Sequence, residues 1–489
     1  MQRDREKQFT YGYLPGTNLL QTLVKPNNMT LTQSYEEKRD LLIGQLYKRS
    51  NTSVASRAYT YDTLGRPMTR STSRDGSTVN DSFGYNSRSE LNIATVNNEA
   101  YAYDYDNIGN REMAQEAAES ATTYESNQLN QYTAIGDFEP TYDDAGNQTK
   151  VKTNTGIWLV TYNAENRPTL FTNTDSGTIV ECSYDYMGRR ATKKVTVNGN
   201  VTLHQRFLYR GYLQIACCDL TRSNHPCLWL LTWDPLQPVA TRPLAIQKDA
   251  TWYTYGWDLT KNICEIYGQH GYIRTSYTYT PYGEVTATGD VTQPIQWSSE
   301  YNDAELALVY YNYRHYHPTQ GDWLGRDNIG ESDAWNLYLY SANNPVNNFD
   351  TLGQSCMSDC LDDNDYTIIL ISHFSTYMLG GPIPKPWVPA VFEALGYHDL
   401  ARQLRVGIKM GNKPITTILS ILSVVLRAGG RSWLRRIGRG ASYVAIAMTA
   451  LDAMILTYCG WHCLTEDCYN PKKDNIWSKI GDKISEIFS

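Results

Sequence analysis

Three charged residues near position 350 are of the types that hydrolyse a peptide bond when they meet: Arg314, Asp327 and Asp350. Two carboxylates brought close together cannot both ionise comfortably, so one keeps a proton and acts as an acid while the other activates a water. An arginine beside them would hold a carboxylate through two hydrogen bonds or stabilise a developing oxyanion. An isolated aspartate in a turn-rich protein, however, is more commonly a turn former. The residue types alone leave catalysis and turn formation both open.

The chain that must position these residues carries an internal repeat, Tyr-Asp-x-x-Gly followed by Arg or Asn. Its four regular copies have their glycines at Gly65, Gly109, Gly146 and Gly188. The aromatic residue favours a half-buried strand, aspartate favours the turn that follows, and glycine supplies the positive φ that closes it. Where Asn166 replaces glycine, the turn survives because asparagine also adopts the left-handed conformation. The repeat predicts a continuous antiparallel β-ribbon over residues 40–350 with turns at these positions.

Composition narrows the function classes. The chain has 38 tyrosines against 9 phenylalanines, which suits a sheet facing water or a solvated cavity, because each ring keeps a hydroxyl at its rim. A net charge of −7 and a pI near 5.7 argue against a nucleic-acid surface on the β-ribbon. Residues 1–7 have no apolar core typical of a secretory signal, so we expect secretion or cell-surface display by another route.

The ten cysteines include no C-x-x-C pair, so neither a disulfide framework nor a zinc ribbon is indicated, and we predict no metal or cofactor. Five cysteines are predicted to be small buried hydrophobic residues: Cys182, Cys217, Cys218, Cys227 and Cys264. The spacings from Cys356 to Cys360 and from Cys459 to Cys463 leave a disulfide or a metal site open, although neither matches a known zinc spacing.

The composition changes after residue 353, and it predicts three domains: a β-array over residues 1–300, a junction over 301–354 and a small α-helical domain over 355–489. Two apolar segments in the last domain, Ile415–Arg427 and Ala441–Tyr458, have helical character. The arginines between and beside them are Arg427, Arg431, Arg435, Arg436 and Arg439.

The junction contains the most specific motif in the chain. It reads Tyr310-Tyr-Asn-Tyr-Arg314-His-Tyr and later Asn336-Leu-Tyr-Leu-Tyr-Ser-Ala-Asn-Asn-Pro345, ending in Asp350-Thr-Leu-Gly-Gln354. This motif resembles the core-associated end of the Rhs/YD-repeat family, and the resemblance covers roughly residues 40–354. The resemblance implies a mainly β fold in which the ribbon curls into a full or partial hollow shell, with a variable C-terminal effector held inside and cut free.

The resemblance also implies roles for individual residues. In the family an arginine and two aspartates cleave the chain, and the matching positions are Arg314, Asp327 thirteen residues later and Asp350 a further twenty-three. The scissile bond would then join Gln354 to Ser355. The family has Asp-Pro at both acidic positions and Gly-Leu before the cut, whereas this chain has Asn328, Thr351 and Gln354 there.

Two functions from different classes remain open at the level of sequence. The first is a polymorphic-toxin carrier that releases residues 355–489, with an immunity protein and a secretion or shell-completing chain as its expected partners. The released domain is then either a helical bundle or a membrane-active hairpin whose arginines bind anionic lipid. The second is a structural or adhesive protein whose tyrosine-rich face binds a glycan or another protein and whose tail is an inert cap.

Overall fold

The computed structural model describes residues 8–235, 242–332, 334–350 and 352–354, and within them the regular structure is almost entirely β-strand. Thirty strands form three antiparallel sheets in which each strand pairs with its neighbour in sequence. The described helices are three single 3-10 turns at Trp297–Ser299, Gly330–Ser332 and Ser341–Asn343. None of the helices in this part of the chain is long and apolar enough to span a membrane.

The first sheet consists of β1 (Thr10–Tyr13), β2 (Leu20–Val24), β3 (Met29–Tyr35), β4 (Leu42–Arg49), β5 (Thr52–Tyr61), β6 (Pro67–Arg74), β7 (Ser77–Tyr85), β8 (Leu91–Val96), β9 (Glu99–Tyr105), β10 (Arg111–Glu116), β11 (Thr122–Ser126) and β12 (Tyr132–Ile135). The second consists of β13 (Thr141–Tyr142), β14 (Gln148–Thr153), β15 (Gly156–Tyr162), β16 (Pro168–Asn173), β17 (Ile179–Tyr184), β18 (Arg190–Val197), β19 (Asn200–Arg210), β20 (Leu213–Asp219), β21 (Cys227–Trp233), β22 (Pro243–Lys248), β23 (Thr251–Trp257), β24 (Ile263–Tyr267), β25 (Ile273–Tyr279) and β26 (Val285–Gly289). The third consists of β27 (Tyr301–Asp303), β28 (Leu308–Tyr310), β29 (His315–His317) and β30 (Asp322–Trp323).

The predicted mainly β, antiparallel fold is confirmed for the described residues, and the strands already begin at Thr10, ahead of the predicted start at residue 40. The curling of the ribbon into a hollow shell and the division into three domains stay predictions. The predicted α-helical domain over residues 355–489, including the five arginines named above and its five cysteines, lies outside the described residues.

The acidic residue of the repeat holds each turn. In the turn after β9, one carboxylate oxygen of Asp106 accepts the backbone N–H groups of Ile108 at 2.9 Å and Asn110 at 2.8 Å. The glycines at the four predicted turns all have a positive φ: +84° at Gly65, +89° at Gly109, +88° at Gly146 and +72° at Gly188. Asn166 takes the same role with a φ of 59°. The predicted turn positions are therefore confirmed.

The repeat tyrosines join successive turns. A tyrosine at the end of one strand donates its hydroxyl to the backbone carbonyl of the residue that begins the preceding strand. The pattern holds for Tyr35 with Leu20, Tyr61 with Leu42, Tyr85 with Pro67, Tyr105 with Leu91, Tyr162 with Gln148, Tyr184 with Pro168 and Tyr279 with Ile263, at 2.5 to 2.8 Å. At these positions the hydroxyls bond within the sheet, and the rings are buried or partly buried.

One face of each long sheet is apolar, and residues 282–340 cover it. Strand β21 alternates buried and exposed residues from Trp229 onward, as expected when one face packs on a core. Tyr282 packs in a cluster with strands β7–β12 of the first sheet, and Leu306 and Leu324 pack in a cluster with strands β14–β18. A third cluster joins both long sheets to tyrosines of the cover that include Tyr311.

Buried charges attach the cover to the sheets. Arg190 of β18 donates to Asp303 of β27 at 2.5 Å, and both side chains are fully buried. Arg111 of β10 donates to the carbonyl of Thr319 at 3.2 Å and lies 4.3 Å from the centre of the Tyr282 ring. Because an unpaired buried charge is costly, these pairs favour one docking position of the cover over others.

The turn geometry leads to a stability prediction. We expect Asp106→Ala to lower the free energy of unfolding by about 1 to 2 kcal/mol, because two backbone N–H groups lose their acceptor. Asp104→Ala, at an exposed position of the same repeat, is the matched control and should change it by less than about 0.5 kcal/mol. Urea unfolding followed by tryptophan fluorescence measures both. Equal effects of the two substitutions would contradict a turn role for Asp106.

Candidate functional site

Arg314 and Asp327 of the cover come together with Asp350, which follows the cover in the chain. Arg314 precedes β29, Asp327 follows β30, and Asp350 lies four residues before the last described residue. One guanidinium nitrogen of Arg314, Nη2, is 2.6 Å from Oδ2 of Asp327 and 3.7 Å from Oδ2 of Asp350. Because both distances start from the same nitrogen, the two carboxylate oxygens lie within about 6 Å of each other, the range in which charges shift each other's pKa.

The Arg314 side chain is held on all sides. Its guanidinium carbon lies 4.2 Å from the centre of the Trp323 ring, which is a cation–π distance. Nη1 donates to the carbonyl of Leu337 at 3.0 Å, and Nε donates to the carbonyl of Gly353 at 2.5 Å. A residue fixed in this way holds the segment at Gly353 and both acids in one geometry, as a catalytic group requires.

Asp350 divides its two oxygens between different tasks. Oδ1 accepts the backbone N–H groups of Leu352 at 3.0 Å, Gly353 at 2.8 Å and Gln354 at 3.2 Å. Oδ2 is buried and has no hydrogen-bond partner among the described residues. The first oxygen therefore fixes the chain up to Gln354, and the second is available to carry or transfer a proton.

Gly353 is required for this turn. Its φ of +77° is the left-handed conformation that favours glycine. A side chain there would place Cβ 3.0 Å from Cβ of Tyr311 and 3.1 Å from the backbone nitrogen of Arg314. The tight fit brings the peptide after Asp350 against the arginine. Ser355 lies outside the described residues, so the scissile bond itself stays a prediction.

Burial and nearby charges shift the pKa of the Asp350 carboxyl group. Removal from water raises the pKa of Asp350 to about 6, and the nearby Asp327 charge acts in the same direction. Arg314 and the backbone N–H donors oppose this rise without cancelling it. An acid with a pKa in this range exchanges its proton near neutral pH, as general acid–base chemistry requires.

The structure adds a third acid that sequence reasoning missed. Burial raises the pKa of Glu300 well above its ordinary value, Lys261 opposes the rise, and Asp350 adds to it. Glu300 and Leu352 line one cavity of about 20 Å³, enough for one water. No sequence signal distinguishes Glu300, because it lies fifty residues before Asp350 and outside the junction motif.

The neighbouring histidines are structural. His315 is buried with Nε2 3.4 Å from Oδ2 of Asp303, and burial lowers its pKa. His317 is buried with Nε2 2.8 Å from the carbonyl oxygen of Lys152, and burial lowers its pKa as well. His317 thus joins the cover to strand β14, and His315 packs against Phe171 of strand β16.

Comparisons with known proteins bear on the site as a whole. The sequence profile of the family described as Teneurin YD-shell matches residues 8–346. The tRNA3(Ser)-specific nuclease WapA of Bacillus spizizenii and the tRNA nuclease WapA of Bacillus subtilis are each 26% identical over 264 residues, covering 51% of this chain and 11% of the relative. Toxin subunit YenC2 of Yersinia entomophaga is 27% identical over 156 residues, covering 31% of this chain and 15% of YenC2. The chain thus spans about a tenth of the length of its WapA relatives.

Solved structures share the fold. The crystal structure of TcdB2-TccC3-Cdc42 matches with a TM-score of 0.61 at 19% identity, covering 71% of this chain and 19% of that chain. The Photorhabdus luminescens Tc holotoxin pore with a TccC3 point mutation matches with a TM-score of 0.60 at 20% identity, over 71% and 19% of the two chains. With the family profile, these matches confirm the resemblance to Rhs/YD-repeat proteins.

The perturbed acid gives a pH prediction. Because the pKa of Asp350 is about 6 in the folded chain and near 3.8 when unfolded, the folded state binds more protons between these values. Its contribution to stability is therefore present below about pH 4 and is lost as pH rises to about 6, by about 3 kcal/mol at most.

Asp350→Asn keeps an oxygen for the three N–H groups and removes the ionisation. We expect the substitution to abolish the pH-dependent contribution of Asp350 to the free energy of unfolding. The variant should then be more stable than wild type above about pH 6. Urea unfolding at several pH values measures the difference, with the exposed Asp104→Asn as control. If the free energy of unfolding of the Asp350→Asn variant changed with pH as in wild type, Asp350 would ionise at its ordinary pKa.

Proposed function

The chain belongs to the teneurin YD-shell family, and we propose that it is a toxin carrier that cuts its own Gln354–Ser355 bond. Cleavage releases residues 355–489 as the effector. The observation that carries the proposal is the contact of one Arg314 nitrogen with both Asp327 and Asp350, beside the turn that ends at Gln354.

The reaction is hydrolysis of one peptide bond. Asp327, ion-paired with Arg314, takes a proton from the attacking water, whose oxygen bonds to the carbonyl carbon of Gln354. Asp350 Oδ2 delivers a proton to the nitrogen of Ser355 as the carbon–nitrogen bond breaks. Arg314 stabilises the negative charge that develops on the carbonyl oxygen. The products are a carboxylate at Gln354 and an amine at Ser355.

The residues that replace the family's prolines are compatible with this reaction. Proline would make the chain after each aspartate rigid. Here Asp350 restrains its own turn through three N–H groups, and Oδ1 of Asp327 accepts the N–H of Ile329 at 3.0 Å. Backbone N–H groups that donate to the two acids thus supply the rigidity that the proline ring supplies elsewhere in the family.

The adhesive alternative depends on tyrosines that are free to bind a ligand. Most repeat tyrosines donate their hydroxyls to strand carbonyls, which leaves few polar groups for a glycan. The exposed tyrosines of the described residues are Tyr13, Tyr186 and Tyr272, and they lie on separate strand ends and turns. The carrier proposal accounts for the buried acid pair, whereas the adhesive one gives that pair no role.

Delivery and partners follow from the carrier proposal. A second chain would complete the shell or secrete the carrier, and an immunity protein would neutralise the effector in the producing cell. Each expectation comes from the family resemblance. The relatives themselves are far longer than the part that matches this chain.

Self-cleavage gives a direct test. Purified full-length protein should separate into two pieces on a denaturing gel, with a smaller piece that begins at Ser355. Asp350→Asn and Asp327→Asn should each leave one intact band, because an amide keeps the shape of the acid but cannot transfer the proton. Glu331→Gln, an exposed acid in the same junction, is the control and should be cut like wild type. Cutting of Asp350→Asn at the same bond would reject the aspartyl mechanism.

The released domain gives a second test. Its arginines, Arg427, Arg431, Arg435, Arg436 and Arg439, lie between and beside two apolar segments. Each basic residue near an anionic membrane contributes about 1 kcal/mol of attraction. We therefore expect residues 355–489 to release dye from anionic liposomes, to spare neutral ones, and to arrest bacterial growth.

Charge reversal of Arg435 and Arg436 should weaken the leakage. The WapA relatives suggest the competing activity, because their names describe tRNA nucleases. Growth arrest with degraded tRNA and intact membranes would reject the membrane activity and indicate that the released domain is a nuclease. A harmless fragment in every compartment would favour the adhesive alternative.

A further inference from the structure

Strands β20 and β21 bring two cysteines opposite each other. Cys218 is the pairing partner of Cys227, at the end of the ladder that also joins Cys217 to Trp229. Residues directly opposite in antiparallel strands have Cα atoms about 4.5 to 5.5 Å apart. A disulfide spans Cα separations of about 4.4 to 6.8 Å. The strand register therefore meets the main distance requirement for a bond between Cys218 and Cys227.

The environment of the pair differs from that of the other described cysteines. Cys227 is exposed and Cys218 is half-buried, whereas Cys182, Cys217 and Cys264 are buried. The prediction that Cys218 and Cys227 are buried hydrophobic residues is therefore wrong. Their strands separate beyond this point into the turn over residues 220–226, so an oxidant can reach both thiols.

Side-chain contacts support the closeness of the two sulfurs. The Cys227 thiol donates to the carbonyl of Trp229 at 3.2 Å, which keeps the side chain beside the ladder. Burial raises the pKa of Cys227, and Cys218 is the next largest cause of the rise. A charge effect of this kind requires the two groups to be neighbours.

We infer that Cys218 and Cys227 form a cross-strand disulfide when the protein enters an oxidising environment. The Cys227 thiolate attacks a low-molecular-weight disulfide such as oxidised glutathione, forms a mixed disulfide and releases one glutathione thiol. The Cys218 thiolate then displaces the second glutathione. Two cysteine thiols are oxidised, one glutathione disulfide is reduced to two thiols, and the protons lost by the cysteines pass to the glutathione thiolates.

The bond would close the irregular end of this hairpin. The register of β20 and β21 shifts between Cys217 and Cys218, and bonds within the turn, such as Asp219 N–H to the carbonyl of Pro226 at 2.9 Å, hold the loop beyond it. A covalent link at this point prevents the strands from separating. Its use after export rests on the proposed carrier function, whereas its formation depends only on the thiols.

Peptide mapping of the full chain tests the inference. The protein is incubated with oxidised glutathione, remaining thiols are alkylated, and tryptic peptides are compared with and without reduction. Cleavage after Arg222 places Cys218 and Cys227 in separate peptides, so a linked pair reports the bond despite cysteines elsewhere. We expect most of the two peptides to be linked in wild type and to separate on reduction.

Three variants make the result specific. Cys218→Ala and Cys227→Ala should abolish the link, and Cys217→Ala, on the preceding residue, should retain it. Failure of the wild-type peptides to link, or a link that persists in Cys218→Ala through Cys217, would overturn the inference. Asp350→Asn, which blocks the proposed self-cleavage, should form the same link, so the two proposals fail separately.

Discussion

A long antiparallel ribbon has two faces, and the apolar face of this one must be covered to be stable. Residues 282–340 supply the cover, contributing Tyr282 to one apolar cluster, Leu306 to a second and Tyr311 to a third. Apolar burial contributes roughly 25 cal/mol per Å², so a cover that touches both sheets holds them in one arrangement. The buried Arg190–Asp303 pair then selects its docking position.

The candidate site depends on that cover. The side chains of Arg314, Asp327 and Asp350 are all buried. Burial is the largest cause of the raised pKa of Asp350. The same three residues on an exposed loop would ionise normally, because water would solvate both carboxylates. The packing that stabilises the ribbon thus also raises the pKa of Asp350.

The tyrosine excess has a structural explanation of the same kind. A sheet of many strands needs a fixed register, since a slip by one residue exchanges its two faces. Repeat turns set the register locally through an aspartate such as Asp106, and repeat tyrosines such as Tyr105 tie the turn to the start of the preceding strand. Phenylalanine could fill the same space but could not make this bond, which accounts for the preference for tyrosine.

The amino-acid sequence by itself determined the local features. Gly65 and Gly109 mark turns because a positive φ is a property of one residue, and strand alternation needs only neighbours in the chain. The junction motif also identified Arg314, Asp327 and Asp350 as candidates. Tertiary structure alone decided that Asp327 and Asp350 approach one guanidinium nitrogen of Arg314. It also placed Glu300 near Asp350. It also decided which cysteines face each other, because register depends on bulges that composition does not reveal. Contacts between residues far apart in the chain arise from packing, and packing has no signature in short sequence patterns.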